Sequence, residues 1–150
     1  MGASFVRKYE LFLVKEEIAK HYVGRERLIY ALIADYKNAD EQKSFILHKQ
    51  IQYITESINS ETEKILFLGE IFKIKNIQVE VADSILIICK KSKAKINFQS
   101  DLIRIESDGD YEAEMILFEI LRKFRSYYIA IDTSKQKYGW LKPIKERKLV

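Results

Sequence analysis

The side chains of this chain that could do chemistry are few, and the densest group is Asp108, Asp110, Glu112 and Glu114. Carboxylates this close could hold a cation or share a proton as an acid/base pair. A simpler account is local. They open a segment whose apolar residues recur at helical spacing, and acidic groups at a helix start satisfy free N–H groups and face the positive end of the dipole. His21 and His48 each lack a second histidine or a cysteine at metal-ligand spacing, and neither has a nucleophile motif beside it. Both read as surface or half-buried histidines. Cys89 is the single cysteine, and its apolar neighbours suit a small buried hydrophobe better than a reactive thiol. Gly2, Gly24, Gly69, Gly109 and Gly139 are too scattered for a phosphate-cradling loop. The expectation is a protein with no metal, no cofactor and no catalytic site.

Charge says little more. The chain carries 26 basic and 22 acidic residues for a net charge of +4, and they are mixed along most of its length. Two local excesses, Lys90-Lys91-Ser-Lys93-Ala-Lys95 and Lys142-Pro-Ile-Lys145-Glu-Arg147-Lys148, read as a solvated turn and a tail. Neither holds a nucleic-acid reading motif, so direct nucleic-acid binding is not expected. The longest apolar runs, Leu11 to Val14 and Ile85 to Cys89, fall far short of the roughly 18 residues of a membrane span. No signal-peptide pattern precedes them, and a cytoplasmic location without membrane contact is expected.

The elements that must position these residues follow from periodicity. Ala113, Leu117, Ile120, Leu121 and Phe124 form one continuous helical face, with Arg122, Lys123 and Arg125 at its negative end. Tyr127-Tyr-Ile-Ala-Ile-Asp then suits a strand covered on both faces, and Leu102, Ile103 and Ile105 suggest another upstream. Residues 102–132 are therefore either a βαβ crossover or part of an α+β arrangement. Met1 to Lys8 reads as a frayed start, and Tyr9 to Lys15 as a central strand, because Leu-Phe-Leu-Val offers no polar face. A helix begins at Glu16, is interrupted at Gly24 and resumes at Arg25, where Leu28, Ile29, Leu32, Ile33 and Tyr36 make a core stripe.

Asp40 can cap a helix through Lys49, but Gln50-Ile-Gln-Tyr-Ile-Thr also alternates like an edge strand. Ser60 with Glu63 has the form of a capping box before another helix. Ile77 to Gln99 reads as a meander of short strands. With no repeat, no linker and a single proline, Pro143, residues 1–150 make one domain. Its expected fold is α/β, or α+β, with a small mixed β-sheet flanked by helices. At this level a binding module and an enzyme remain open alternatives, and so does a basic DNA-binding regulatory protein.

Four blocks carry a resemblance. Val14-Lys-Glu-Glu-Ile-Ala-Lys-His-Tyr-Val-Gly-Arg-Glu, Lys49-Gln-Ile-Gln-Tyr-Ile-Thr, Gly109-Asp-Tyr-Glu-Ala-Glu with Phe118-Glu-Ile-Leu-Arg-Lys, and Tyr138-Gly-Trp-Leu-Lys-Pro-Ile-Lys-Glu-Arg resemble the sporulation inhibitor of replication family, SirA. They span residues 9–26, 49–55 and 107–150, while 56–106 adds only generic fold information. The resemblance implies a small soluble α/β protein of endospore-forming bacteria, made on entry to sporulation. Such a protein binds the N-terminal domain I of the replication initiator DnaA, keeps it from assembling productively at the origin, and catalyses no reaction.

Carried over residue by residue, the family's partner-contacting positions fall on Ile18, Tyr22, Gln50 and Pro143. Ile18 and Tyr22 are four apart and can share a helix face, and Gln50 could add directional hydrogen bonds. Position 18 departs from the pattern of the family that the chain resembles, where an aromatic is found; isoleucine keeps apolar area but loses ring stacking.

Overall fold

Leu11, Phe12, Leu13 and Val14 are all buried, and the sheet is built around them. The structure is a computed structural model that describes residues 5–144. In chain order its elements are β1 (Arg7–Leu13), α1 (Glu16–His21), α2 (Glu26–Lys37), α3 (Glu41–Ile54), α4 (Ser60–Ile71), β2 (Gln78–Val81), β3 (Ile85–Ile88), β4 (Ser92–Phe98), β5 (Ile103–Gly109), α5 (Glu112–Phe124), β6 (Tyr128–Asp132) and β7 (Lys137–Trp140). The strands form one sheet in the order β2-β3-β4-β5-β1-β6-β7. Strand β1 is central, as its unbroken apolar run requires, β2 to β4 are the expected meander, and β5 extends it by one more antiparallel strand.

Alternation along β1 divides the core in two. Leu11 and Leu13 join Ile103, Ile105 and Tyr128 under α4 and α5, which contribute Phe67, Ile71, Leu117 and Leu121. Phe12 and Val14 join Ile129 and Ile131 under α1 to α3, which contribute Ala19, Ile29, Ile33 and Ile51. Successive strand side chains point to opposite faces, so one short strand feeds both layers. Helices thus flank the sheet as expected, while all neighbouring strands pair antiparallel where a mixed sheet was expected. The crossover is resolved in the same way. Strands β5 and β6 both run antiparallel to β1, which lies between them, so they share a direction without touching.

The α5 stripe is core: Ala113, Leu117, Ile120 and Leu121 are buried and Phe124 is half-buried. At its start Asp110 Oδ1 accepts the Glu112 N–H at 3.1 Å, and Ser92 Oγ accepts the Ala113 N–H at 3.0 Å. Asp108 instead bonds the Gly109 N–H. Glu114 does more than face the helix dipole. It is buried, ion-paired to Arg7, and accepts from Tyr9 Oη at 2.8 Å and Ser107 Oγ at 2.7 Å. Burial, with Glu114 beside it, raises the Tyr9 pKa well above that of a free phenol. Arg7 and Lys8 therefore belong to β1 rather than to a frayed start.

Three local readings change. Residues 50–54 continue α3 as a helix, the Thr55 N–H reaching Ile51 O at 3.0 Å, so the edge-strand alternative fails. The cap of α4 is Asn59, whose side chain accepts the Thr62 N–H, rather than Ser60. Glu63, assigned to a capping box, turns inward onto Arg125. In the α2 stripe Ile29 and Ile33 are buried and Leu32 and Tyr36 half-buried, but Leu28 is 43% exposed.

Candidate functional site

The layer of α1, α2 and α3 carries three of the four sequence-derived contact residues, and Pro143 lies just beyond β7, which packs on α2. Its geometry is set where β1 gives way to α1. The Lys15 N–H donates to Ile54 O at 2.9 Å, Val14 bridges Thr55, and the Glu56 N–H donates to Leu13 O at 2.7 Å. These bonds stitch the end of α3 against the start of α1. Ala19 is fully buried, which holds the short α1 against the sheet, and Ile18 and Tyr22 pack half-buried at the margin of the same core.

Tyr22 closes α1. Its N–H donates to Ile18 O at 3.0 Å, so the two side chains remain one helical turn apart. Gly24 follows at φ 81°, a left-handed conformation that glycine adopts without a Cβ penalty. The Tyr22 ring is oriented from two sides, with the His21 ring edge-on at 5.1 Å and the Arg25 guanidinium over its face at 5.2 Å. Arg25 is held in turn by a 2.6 Å bond from Nη2 to His21 O.

Glu26 ties this turn to the C-terminal hairpin. Its Oε1 accepts the Gly24 N–H at 2.9 Å and Trp140 Nε1–H at 3.3 Å. Burial alone would raise its pKa, but the backbone and indole donors outweigh burial and hold the carboxyl below its ordinary value. Tyr30 stacks on Tyr138 with ring centroids 5.1 Å apart, joining α2 to β7 a second time. Beyond Trp140 the chain passes exposed Pro143 and returns Ile144 to the core shared with Ile18 and Tyr22.

Gln50 is exposed on α3, beside buried Ile51. Ile46 and Tyr53 flank it at i−4 and i+3 and are 58% and 70% exposed, and Phe45 nearby is 64% exposed. Lys49 Nζ lies over the Phe45 ring and Lys15 Nζ over the Tyr53 ring. Sequence reasoning missed this apolar row, because leaving 50–55 open between helix and edge strand obscured the helical spacing that groups Ile46, Gln50 and Tyr53. An unbroken helix from Asp40 to Ile54 was the signal that could have found it. The arrangement suits protein recognition: rigid, outward aromatics beside amide and cationic groups can fill a partner's pockets.

Other parts of the surface are more self-contained. The Glu114 carboxylate is bonded by Arg7, Tyr9 and Ser107 inside the fold. On the same face of β1 as Phe12, Glu10 pairs with both Lys37, at the end of α2, and Arg104. Of the lysine-rich turn, Lys93 and Lys95 lie over the Phe5 ring, and Lys95 is 3.8 Å from Glu106. Lys145, Arg147 and Lys148 of the basic tail lie outside the described residues. Cys89 is buried, and burial raises its thiol pKa. Among the described residues no group of three or more His, Cys, Asp or Glu is placed to hold a metal ion, and no helix is long and apolar enough to cross a membrane.

Comparison with known proteins agrees with the blocks that carried the resemblance. The family model described as "Sporulation inhibitor of replication protein SirA" matches residues 7–145. A curated protein of that name from Bacillus subtilis (strain 168) is 37% identical over 146 residues, which cover 96% of this chain and 99% of that protein. The match runs through residues 56–106, where inspection of the sequence had shown little similarity.

Proposed function

The chain belongs to the SirA family of sporulation inhibitors of replication, and we propose that it is an inhibitor of DNA replication initiation at the onset of sporulation that acts by binding domain I of the initiator DnaA. The observation that carries the role is the family match over residues 7–145. The inhibitor works by occupancy, without catalysis. Holding domain I prevents productive assembly of the initiator at the origin.

The contact surface in this reading is Ile18 and Tyr22 on α1, Gln50 on α3 and Pro143 beyond β7. It is supported by the half-exposed, laterally braced Tyr22 ring and by the apolar row around Gln50. The test is calorimetric titration of the full chain with isolated domain I of its host's initiator. Saturable binding that survives raised salt is expected, because an apolar-centred interface does not depend on counterion release. Failure to bind domain I refutes the partner. In vegetative cells of the host, expression should lower the origin-to-terminus ratio, and a ratio that stays at the growing-cell value refutes the inhibitory role.

A further inference from the structure

The two ends of that surface, Tyr22 and Pro143, belong to segments far apart in sequence, and one carboxylate oxygen lies between them. The chain from Tyr22 to Arg25 is a closed turn, the Arg25 N–H donating to Tyr22 O at 2.8 Å. Glu26 Oε1 accepts the Gly24 N–H inside this turn, and also the Nε1–H of Trp140, which precedes Pro143 by three residues. An acid in the first turn of a helix needs only water and the helix dipole. This one is half-buried and reaches across to another element instead.

The contact has a second rung. Tyr30, one helical turn after Glu26, stacks on Tyr138, which lies two residues before Trp140 on the same face of β7. Four residues of helix rise about 6 Å and two of strand about 6.6 Å, so the spacings match and the two rungs reinforce one register of α2 along β7. They differ in what they fix. Ring pairs attract over centroid separations of about 4.5–7 Å, whereas a hydrogen bond weakens steeply once donor and acceptor lose alignment. The rings hold α2 against β7, and the Glu26 bond sets where along it the Tyr22 turn lies.

We infer that Glu26 is a positioning residue for initiator binding: through Gly24 and Trp140 it fixes the separation of Tyr22 from Pro143, so that both meet domain I together. The inference rests on the domain I reading above. Glu26 acts through these two segments and not by touching the partner.

The test is calorimetric titration of full-length variants with isolated domain I, with a melting curve and the indole N–H resonance of Trp140, the sole tryptophan, recorded on each. Glu26→Ala should keep the fold, which the Tyr30–Tyr138 rung still ties, shift the indole resonance, and weaken binding roughly tenfold, the size of a hydrogen bond to a charged group. Trp140→Phe removes the donor and keeps an aromatic ring. It should also weaken binding, with the double variant no weaker than Glu26→Ala alone, because both changes remove the same bond. Glu26→Gln keeps an acceptor oxygen and should bind within about threefold of the parent. Parental affinity in Glu26→Ala or in Trp140→Phe overturns the inference, as do losses that multiply in the double variant. A Glu26→Gln variant as weak as Glu26→Ala overturns it too, because charge and not the bond would then be at work. So does a collapse of the melting temperature in Glu26→Ala, which would make the bond one of folding. A parent that fails to bind domain I removes the function proposed above and this inference with it, whereas a binding parent with an unaffected Glu26→Ala removes this inference alone.

Discussion

Removing the Tyr22 ring should weaken initiator binding far more than it disturbs the fold, and the structure gives the size of each effect. In Tyr22→Ala the fold loses the Arg25 stacking and the edge contact with His21, each on the order of 0.5–1 kcal/mol at a partly exposed site. It also loses about half the burial of a tyrosine ring, roughly 1 kcal/mol more, so the total is about 2–3.5 kcal/mol. For a domain of this size that lowers the melting temperature by roughly 4–14 °C. Starting from a stability of at least about 5 kcal/mol, the variant remains more than about 90% folded at 25 °C. Unfolding therefore cannot reduce the active concentration appreciably. An aromatic anchor at an interface centre contributes on the order of 2 kcal/mol or more, which is roughly a thirtyfold loss of affinity for domain I. The assay pairs calorimetric titration with a melting curve on the same sample. Tyr22→Phe, which keeps the ring, should bind within about threefold of the parent. Parental affinity in Tyr22→Ala refutes the anchor role. A melting temperature lowered by much more than the stated range shows instead that the ring belongs to the core.

Three further expectations concern the frame around the site. Gly109→Ala should cost about 3 kcal/mol or more, because at φ 86° the new Cβ would sit 2.1 Å from Lys91 O and 2.7 Å from Ser92 Cα; an unchanged melting temperature refutes this. Leu117→Asp, at a fully buried position, should cost about 4 kcal/mol by leaving a carboxylate unpaired in the core, and native-like melting would exclude that packing. The lowered Glu26 pKa means that its contribution is present above the ordinary value of 4.5 and is lost as pH falls through the folded-state value. Trp140 is the sole tryptophan, so its fluorescence should step below pH 4.5 before global unfolding; an equal step in Glu26→Gln would assign it elsewhere.

What could be read beforehand was what is local. In α5 the spacing of Ala113, Leu117 and Leu121, the acids before them and the bases after them all favour one helix, and no distant contact reverses that preference. The meander from β2 to β4 was legible for a similar reason, since each strand pairs with its sequence neighbour. Glu63 and Glu114 were misassigned because their partners, Arg125 and Arg7, are distant in sequence, and an acid near a helix start looks the same whether it faces water or turns inward. Residues 50–54 were ambiguous because Ile51 and Tyr53 satisfy both periods. The tie is broken by Lys15 and Val14, which bond the end of α3 from another element. Of the candidate site, the chain positions came from family likeness; the exposure of Ile46 and Tyr53 and the tether from Glu26 to Trp140 are tertiary facts with no local signature.

The placement of β1 sets the order in which this chain can complete itself. The first strand is synthesised early, yet one of its ladders needs β5, which begins at Ile103, and the other needs β6, which begins at Tyr128. Until β6 has left the ribosome, Leu11 to Val14 has at least one unpaired edge, and the α1–α3 layer has no finished floor to rest on. Such long-range closure slows folding, because the entropy of a large loop is spent before any contact repays it. A nascent chain stalled before Tyr128 should therefore be protease-sensitive and prone to aggregation through that apolar strand. Chains extended beyond Asp132 should gain protection of both layers in a single step, tying competence to bind a partner to the emergence of β6.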